Sequence, residues 1–571
     1  MNDNIFMIYL FLLNFAIIYS KTINTDNLDL AISEASPGDI IELKSGEYSS
    51  IPYKLKSGKE GSPIIIKAEK NSYIYFKGSK DKCIFELNEI SYISIEGPFE
   101  LKDSLCGIKA MDVTNIKISG LTILNMREHG LLISGENIEI SNNEISNCVI
   151  GNRETSKILT SGWNQTVSIW GKKYNSYFSK NITFKKNYIR DSWGEGLHFL
   201  RCDGCEAISN NITNGFSMNI YCDSSKNIII DGNVLRVNSE QWDSHLGKAC
   251  GIGLSSGEGD ENKLDNIIIQ NNIIIGTRIG VYFFQNGFSE YSKVKILHNT
   301  LWNIYVTSLW FDKPYNIPID CELRNNFIYI ENWIADFYPK SSWTIGNNYF
   351  FNYPKIPIEY SDNDGESKAA QNLDLNRIFN NKKGNCNYYD RNLDIECLRP
   401  STNPIDSFNL FHKGSKTRIE VNKDFAGCFR AINNPSIGAF EYFLKCTENY
   451  EIDDLQIKFA INYCAFFGQF VKLMGSFCSW EPYTCPSLFL ENLGNPCYWT
   501  YTFNQIPENF NYKFGIYDGN LNNIIIWESD PNREFNIYDL ATIAKSSTSG
   551  NYNDCSFNKN GNLITLMCSW R

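Results

Sequence analysis

A short pattern, N-I-x-I-x-x-N-x-I, returns along the chain and limits what it can fold into. It reads NIKISGLTI from Asn115, NIEISNNEI from Asn137, NITFKKNYI from Asn181, NIIIDGNVL from Asn227 and NIIIQNNII from Asn266. Asn115 and Asn137 are 22 residues apart and Asn137 and Asn181 are 44 apart, which is either two coils or one coil carrying an insertion. Strand-type alternation inside a period of about 20–30 residues is the mark of a β-solenoid. One coil cannot bury its own apolar face, so coils stack about 4.8 Å apart and share a core. Asn143, Asn187, Asn233 and Asn272 each fall six residues after the opening Asn. Stacked, they predict a ladder of side-chain amides that satisfies buried turn backbone, not a catalytic set.

The repeating region, residues 22–442, resembles the right-handed parallel β-helix of the pectin-lyase-like superfamily. The run ISEASPGDIIELKSGEY (Ile32–Tyr48) followed by SPIIIKA (Ser62–Ala68) is similar to the start of chondroitinase-B and alginate-lyase helices. LDIECLRPSTNPIDS (Leu393–Ser407) and DFAGCFRAINNPSIGAFEY (Asp424–Tyr442) resemble closing segments of secreted β-helix proteins. This resemblance implies the fold and leaves the chemistry open, because lyases, hydrolases, epimerases and binders share it. No lyase family's full set of catalytic Lys or Arg with calcium-binding Asp is found, so no active site is carried over.

A second strand follows in each coil: HGLLIS (His129–Ser134), TVSIWG (Thr166–Gly171), GLHFL (Gly196–Leu200), NIYCD (Asn219–Asp223), GIGLS (Gly251–Ser255), GVYFF (Gly280–Phe284) and SLWFD (Ser308–Asp312). Alternation places Leu131, Val167, Leu197, Ile220, Ile252, Val281 and Leu309 in one inward column. Leu132, Ser168, His198, Tyr221, Gly253, Tyr282 and Trp310 then point outward. Two insertions, 149–165 and 237–249, precede this strand and would wall a groove over those rungs. Arg190, Asp191, Trp193, Glu195, His198, Arg201, Asp203, Tyr221 and Asp223 fall there, with Trp242, Asp243 and His245 from the second wall. The catalytic candidates are Glu195, His198, Asp223, Arg201 and Asp203, with Glu195, His198 and Asp223 expected to face solvent together. Two carboxylates around one sugar linkage suit hydrolysis; a His, Lys, Arg or Tyr base with a cation or an Arg on a uronate carboxylate suits β-elimination. The alternative for each is a satisfied ion pair in a turn. No cofactor is evident, and Ca2+ enters only with the lyase alternative. Cys202-x-x-Cys205 stands without a second pair, which favours a disulfide over zinc.

Near the C-terminus, NYKFGIYDGNLNNIIIWESDPNRE (Asn511–Glu534) reads as a hairpin whose strands, Tyr512–Tyr517 and Ile524–Trp527, flank an Asp-Gly-Asn turn. A Trp face, an Asn amide and a Lys ammonium together suit a sugar ring. With KFAIN (Lys458–Asn462), FFGQFVKLMGS (Phe466–Ser476), Trp480, Trp499, FNYKF (Phe510–Phe514), WESDPNRE (Trp527–Glu534) and SWR (Ser569–Arg571), residues 454–571 resemble the starch-binding domain of glucoamylases, carbohydrate-binding module family 20. The resemblance implies an antiparallel β-sandwich in which Trp480 and Trp527 stack on glucose rings of an α-1,4-glucan while Lys513 and Asn532 hold hydroxyls. A second site of that family uses Tyr residues where this chain has Phe467 and Leu493.

The apolar run Ile5–Ile18, ahead of Lys21, predicts a signal peptide over residues 1–20, and 18 cysteines suit an exported chain with disulfides. Asn164, Asn181 and Asn211 stand in sequons, the last two in repeat positions expected to be buried. A net charge of −11 argues against nucleic acid or an anionic membrane as partner. The expectation is an all-β, secreted, monomeric carbohydrate-active protein: β-helix 22–442, linker 443–453, starch-binding module 454–571. The helix would cleave a polysaccharide, as lyase or hydrolase; the alternative is a non-catalytic adhesin.

Overall fold

The computed structural model describes residues 20–23, 28–49, 55–154, 164–171, 177–239, 249–257, 263–284, 290–311, 318–330 and 343–351, parts of 368–440, and the strands of 456–568. The apolar N-terminal run, residues 1–19 of the expected 1–20 signal peptide, lies outside them, as do residues 443–453. Two compact units divide the chain, Met1–Cys446 and Thr447–Arg571. Among the described residues no helix is long and apolar enough to cross a membrane.

The first unit is a parallel β-helix with three strands per coil. Row A holds the N-I-x-I segments: Ser179–Lys185, Lys226–Asp231, Lys263–Gln270, Glu290–Leu297, Cys321–Arg324 and Trp343–Gly346. Row B follows after a tight turn, with Tyr188–Ser192, Asn211–Gly215, Val234–Arg236, Ile273–Ile275 and Thr300–Ile304. Row C is Gln165–Trp170, Glu195–Leu200, Met218–Asp223, Cys250–Ser255, Ile279–Phe284 and Thr307–Phe311. Every pairing between coils is parallel, as in Ile228↔Ile267↔Val294 of row A and Leu197↔Ile220↔Ile252↔Val281↔Leu309 of row C. The expected inward column from Leu131 to Leu309 lies in this register, and each member is fully buried.

Both asparagines of the repeat have a structural reason. Asn115, Asn137, Asn181, Asn227 and Asn266 begin row A with φ between 52° and 56°, a left-handed conformation that Asn tolerates better than most residues. The second Asn forms the ladder. Asn187 Oδ1 accepts from the backbone N (3.0 Å) and Nδ2 (2.9 Å) of Asn143, and its own Nδ2 donates to Ile140 O (3.0 Å). The same exchange runs through Asn210, Asn233, Asn272, Asn299, Asn326 and Asn348. Asn143 and Asn187 are consecutive in this ladder, so their 44-residue separation is one coil with an insertion. Asn210, Asn299, Asn326 and Asn348 extend the set beyond the four visible in the repeat.

Two expectations are corrected. Asn181 and Asn211 are exposed, because row A and row B begin on the outside of the turns. Cys202 and Cys205 are free thiols in the core: Cys202 Sγ lies 3.4 Å from Ile169 O and Cys205 Sγ 3.7 Å from Ser179 O, and no bridge joins them. Disulfides join Cys83 to Cys106, opposite each other on consecutive coils, and Cys386 to Cys397.

The second unit contains two sheets. One includes Gln456–Asn462 paired antiparallel to Tyr498–Phe503 and parallel to Leu563–Cys568; the other contains Gln469–Gly475, Asn509–Asp518, Asn523–Trp527 and Arg533–Asn536. Phe459 of the first meets Tyr512 of the second with ring centroids 5.1 Å apart. The expected hairpin is present, Asn509–Asp518 against Asn523–Trp527 with Asp518 opposite Asn523. Trp527 and Lys513 lie on these strands, their side chains outside the described set; Trp480 and Asn532 fall outside the described residues.

Removing the Asn233 amide orphans a buried backbone donor and a side-chain donor on the preceding coil, Asn210 N and Nδ2, and takes a donor from Ala207 O, at roughly 1–3 kcal/mol per group left without a partner. Asn233→Ala is therefore expected to destabilise the helix by at least about 2 kcal/mol in urea unfolding. A loss under about 0.5 kcal/mol, the scatter of an ordinary surface substitution, would show that these amides do not hold the coils together.

Candidate active site on the outer face of row C

The outward columns of row C are not open to solvent as expected. His198 is 6% exposed, Glu195 6% and Asp223 0%; Ser168, Gly253 and Tyr282 are also buried, Tyr221 is half-buried, and Trp310 is 38% exposed. Farther along row C, Met218, Cys250, Ile279 and Tyr282 form an apolar cluster, with Tyr221 and Phe284 packed against it.

Local structure fixes where each side chain stands. Ser192 Oγ bonds to the carbonyls of Gly194 (3.1 Å) and Glu195 (3.2 Å), locking the turn from row B into row C. Gly194 must lack a side chain, because a Cβ there would lie 2.0 Å from the Asn164 carbonyl oxygen. On the strand, register sets Ser168, His198, Tyr221 and Gly253 side by side. Gly253 makes room for its neighbours: a Cβ would lie 2.0 Å from Met218 Sδ and 2.9 Å from the Tyr221 ring.

The result is a compact cluster of four titratable groups. His198 and Tyr221 stack with centroids 4.8 Å apart at 26°. His198 Nδ1 is 3.4 Å from Glu195 Oε2, and the Tyr221 hydroxyl is 3.5 Å from Asp223 Oδ2. Ser224 Oγ donates to Asp223 Oδ1 at 2.7 Å. His198 Nε2 has no hydrogen-bond partner among the described residues. Despite the adjacent carboxylate, burial dominates: desolvation, with a smaller push from His129, lowers His198 to about 3. Burial, then the charges of Asp223 and Glu195, push Tyr221 well above its ordinary 10.0. A neutral imidazole, neither ring nitrogen hydrogen-bonded to a described residue, thus lies against a phenol that keeps its proton. In this buried state the imidazole is a weak base, and rehydration or a bound glycan would have to restore its basicity.

The remaining candidates separate. Arg201 is buried at the end of the same strand, its backbone N–H donating to Asp223 O at 3.0 Å and its Nε without a hydrogen-bond partner among the described residues. Asp203 does not join the cluster: it accepts from Asn227 Nδ2 (2.7 Å) and lies 3.7 Å from Lys226 Nζ, so the turn ion-pair alternative holds there. Arg190 pairs with Glu144 and Asp191, and Asp191 accepts from Asn214. Trp193 packs on Phe216. Trp242, Asp243 and His245 lie outside the described residues. Ser224, Met218 and Gly253 belong to the site and escaped sequence reasoning; the one available signal was the break that Gly253 makes in an otherwise bulky outward column. Among the described residues no three His, Cys, Asp or Glu side chains converge as a metal ion would require.

Residues 22–190 match the family described as Chondroitinase B, well short of half the chain. No curated protein matches the sequence. Among solved structures, the chain is similar to the family PL6 alginate lyase AlyGC (16% identity, TM-score 0.35, 62% of this chain and 54% of the other). It is also similar to the PL6 polysaccharide lyase Pedsa3628 from Pseudopedobacter saltans (13%, TM-score 0.41, 62% and 92%). A third likeness is to the family 15 glycoside hydrolase glucoamylase from Hypocrea jecorina (18%, TM-score 0.15, 20% and 17%). The chain spans about half the length of the first of these and less than a fifth of the third.

Burial of His198 has a consequence for acid stability. An unfolded imidazole protonates near 6.5, whereas the folded one stays neutral down to about 3. Between those values the unfolded chain binds the extra proton, so stability falls as pH drops through that window, by up to about 1.4 kcal/mol per pH unit for this group. His198→Gln is expected to flatten the fall in unfolding free energy between about pH 6 and 4 by that slope. An unchanged slope in the variant would mean that the folded protein protonates His198 as readily as water does.

Proposed function

We propose that the β-helix is a polysaccharide lyase that cleaves a uronate-containing chain by β-elimination at the His198–Tyr221 pair. We also propose that the C-terminal unit holds a starch-like α-1,4-glucan. The observation that carries the first reading is the pairing of a deprotonated imidazole, Nε2 unengaged, with a protonated phenol one rung away. His198 is buried and Tyr221 half-buried in this structure, so the reading requires this face to open to the glycan. His198 Nε2 would then take the proton at C5 of the uronate, the electron pair left behind forming the C4=C5 double bond as the C4–O bond breaks. Tyr221 gives its proton to the departing glycosidic oxygen. Arg201, a buried cation beside these rungs, would neutralise the uronate carboxylate and so acidify C5. Glu195 and Asp223 position the two rings. The match of residues 22–190 to Chondroitinase B supports elimination over hydrolysis, and the apolar leader supports secretion.

A panel of acidic and neutral polysaccharides tests this directly. Elimination leaves an unsaturated uronate with a new ultraviolet absorbance, whereas hydrolysis leaves reducing ends without it. His198→Gln and Tyr221→Phe are each expected to lower kcat by about 10²- to 10⁴-fold, the usual worth of a positioned base or acid. Cleavage without ultraviolet absorbance would transfer the chemistry to Glu195 and Asp223 as a hydrolytic pair. Binding without any cleavage would favour the adhesin.

For the C-terminal unit, the motifs around Trp480, Lys513, Trp527 and Asn532 support glucan binding, and tethering would raise the local substrate concentration without new catalytic contacts. In the full chain, Trp480→Ala with Trp527→Ala should abolish starch pull-down, since each stacking face is worth roughly 5- to 150-fold in affinity. Lys513→Ala should cost less, its ammonium exchanging a sugar hydroxyl for water. Retained pull-down by the folded double variant would place any starch binding elsewhere.

A further inference from the structure

The first coils carry a concave site that the chemistry above does not use. At the turns from row B to row C, Lys80, Asp103, Ser104, Asn125, Arg127 and Asn147 line one pocket. Lys80 and Arg127 are exposed, and neither makes an ion pair with a described residue. The one carboxylate in the lining, Asp103, is already engaged: its Oδ1 accepts from Asn125 Nδ2 at 3.0 Å, and Asn125 Oδ1 accepts from Asn147 Nδ2 at 2.7 Å. Among the described residues, then, the pocket presents two cations without an ion-pair partner on a chain whose net charge is −11.

Both cations are held on fixed backbone. Lys80 is at the tip of the turn Ser79–Lys82, whose two ends are bridged to each other. Buried Ser104 ties that turn down, its Oγ donating to Lys82 O (2.5 Å) and Ser79 O (3.2 Å), and the Cys83–Cys106 disulfide joins the same two coils immediately beyond. Arg127 O accepts from Gly151 N at 2.8 Å, and a Cβ at Gly151 would stand 3.4 Å from Arg127 Cγ, so the Arg stem rests on that glycine. For Arg127, whose stem has that support, less side-chain entropy is lost on binding than at a free surface Arg.

The pocket also lies in line with the proposed reaction site. Ser146 is opposite Arg190 in register and Asn147 N donates to Arg190 O, so the rung next to Asn147 is the one that turns at Ser192–Glu195 into His198. Row C register steps from His198 through Ser168 and Leu132 to Lys109 and Glu86, so Arg127 stands at the turn two rungs from His198 and Lys80 at the turn four rungs away. At about 4.8 Å per rung, a glycan lying along the helix axis meets them roughly 10 and 19 Å from His198.

We infer that the Lys80–Arg127 pocket is a distal subsite for an anionic sugar, binding a carboxylate or sulfate of the chain held at His198. This rests on the lyase reading. A planar guanidinium takes such a group in two parallel hydrogen bonds, and the ammonium adds a second charge-assisted contact.

The test compares the full-length protein with Lys80→Gln/Arg127→Gln, using oligosaccharides of galacturonate (carboxylate only) and of chondroitin sulfate (carboxylate and sulfate), each as trisaccharide or tetrasaccharide and as chains of eight or more residues. Both positions are exposed, so an unchanged melting curve certifies the fold. The expected result is a rise in KM of roughly 5- to 20-fold on long acidic chains, as loss of one to two charge-assisted contacts implies. That rise should disappear as the chain is shortened and shrink with added salt. A rise on both polymers identifies the carboxylate as the anchor, and a rise on the sulfated chain alone identifies sulfate; either supports the subsite. Cleavage of long acidic chains with the same KM in both proteins, or an equal rise on short and long chains, overturns the subsite and leaves the lyase reading standing. Failure of the unaltered protein to bind or cleave any acidic chain overturns both.

Discussion

A stack of parallel coils survives only if the backbone at each turn finds hydrogen bonds that the strands cannot provide. Here that need falls on the turn between rows A and B, where the chain reverses inside the core and water has no access. One asparagine per coil meets it, using a single carbonyl oxygen to accept from the amide and the side chain of the coil before, and its own amide to cap a row A carbonyl. Each link depends on its neighbours, since every Oδ1 serves the preceding coil. Register is fixed by the same device, because a slip of one residue would separate every donor from its acceptor. The row C face owes its geometry to this ladder two turns away.

That rigidity explains how a solenoid surface can hold buried titratable groups. Parallel rungs place equivalent residues at a constant small spacing, so a ring on one rung meets a ring on the next, and His198 stacks on Tyr221 without any special loop. Burial of those rungs removes water, and removing water separates the proton affinities of the two rings, lowering His198 and raising Tyr221. The imidazole is left basic in form but uncharged, and the phenol remains an acid. A carboxylate 3.4 Å from His198 does not reverse this, because the cost of charging a ring away from water exceeds what one imperfectly aligned neighbour returns.

The charge distribution has the same logic on a larger scale. A net acidic chain repels acidic polymers at long range, so an acidic substrate requires local positive charge fixed near the groove. Lys80 and Arg127 supply exposed positive charge on the first coils, and Arg201 is a buried cation next to the His198 rung. In the other direction along row C, Trp310 is exposed and packs edge-on against buried Tyr282.

The sequence by itself determined the solenoid, its inward column and its ladder, because these depend on periodicity, and periodicity is written directly in the spacing of Asn and Ile. It also marked the hairpin at Asp518–Asn523, where turn chemistry is local. It could not say whether 44 residues made one coil or two, since insertion and repeat look alike until Asn143 and Asn187 are seen to bond. It placed Glu195, His198 and Asp223 on the correct face but assigned them the wrong environment. Alternation reports which way a side chain points, and only tertiary packing decides what lies over it. Asp203, from the same stretch of sequence, turned out to be committed to Lys226 and Asn227 on the next rung. Cys202 and Cys205 likewise read as a bridge from their spacing, while the fold sends both thiols into the core. Contacts across rungs join residues 20 to 40 positions apart, and no local pattern encodes which of them will meet.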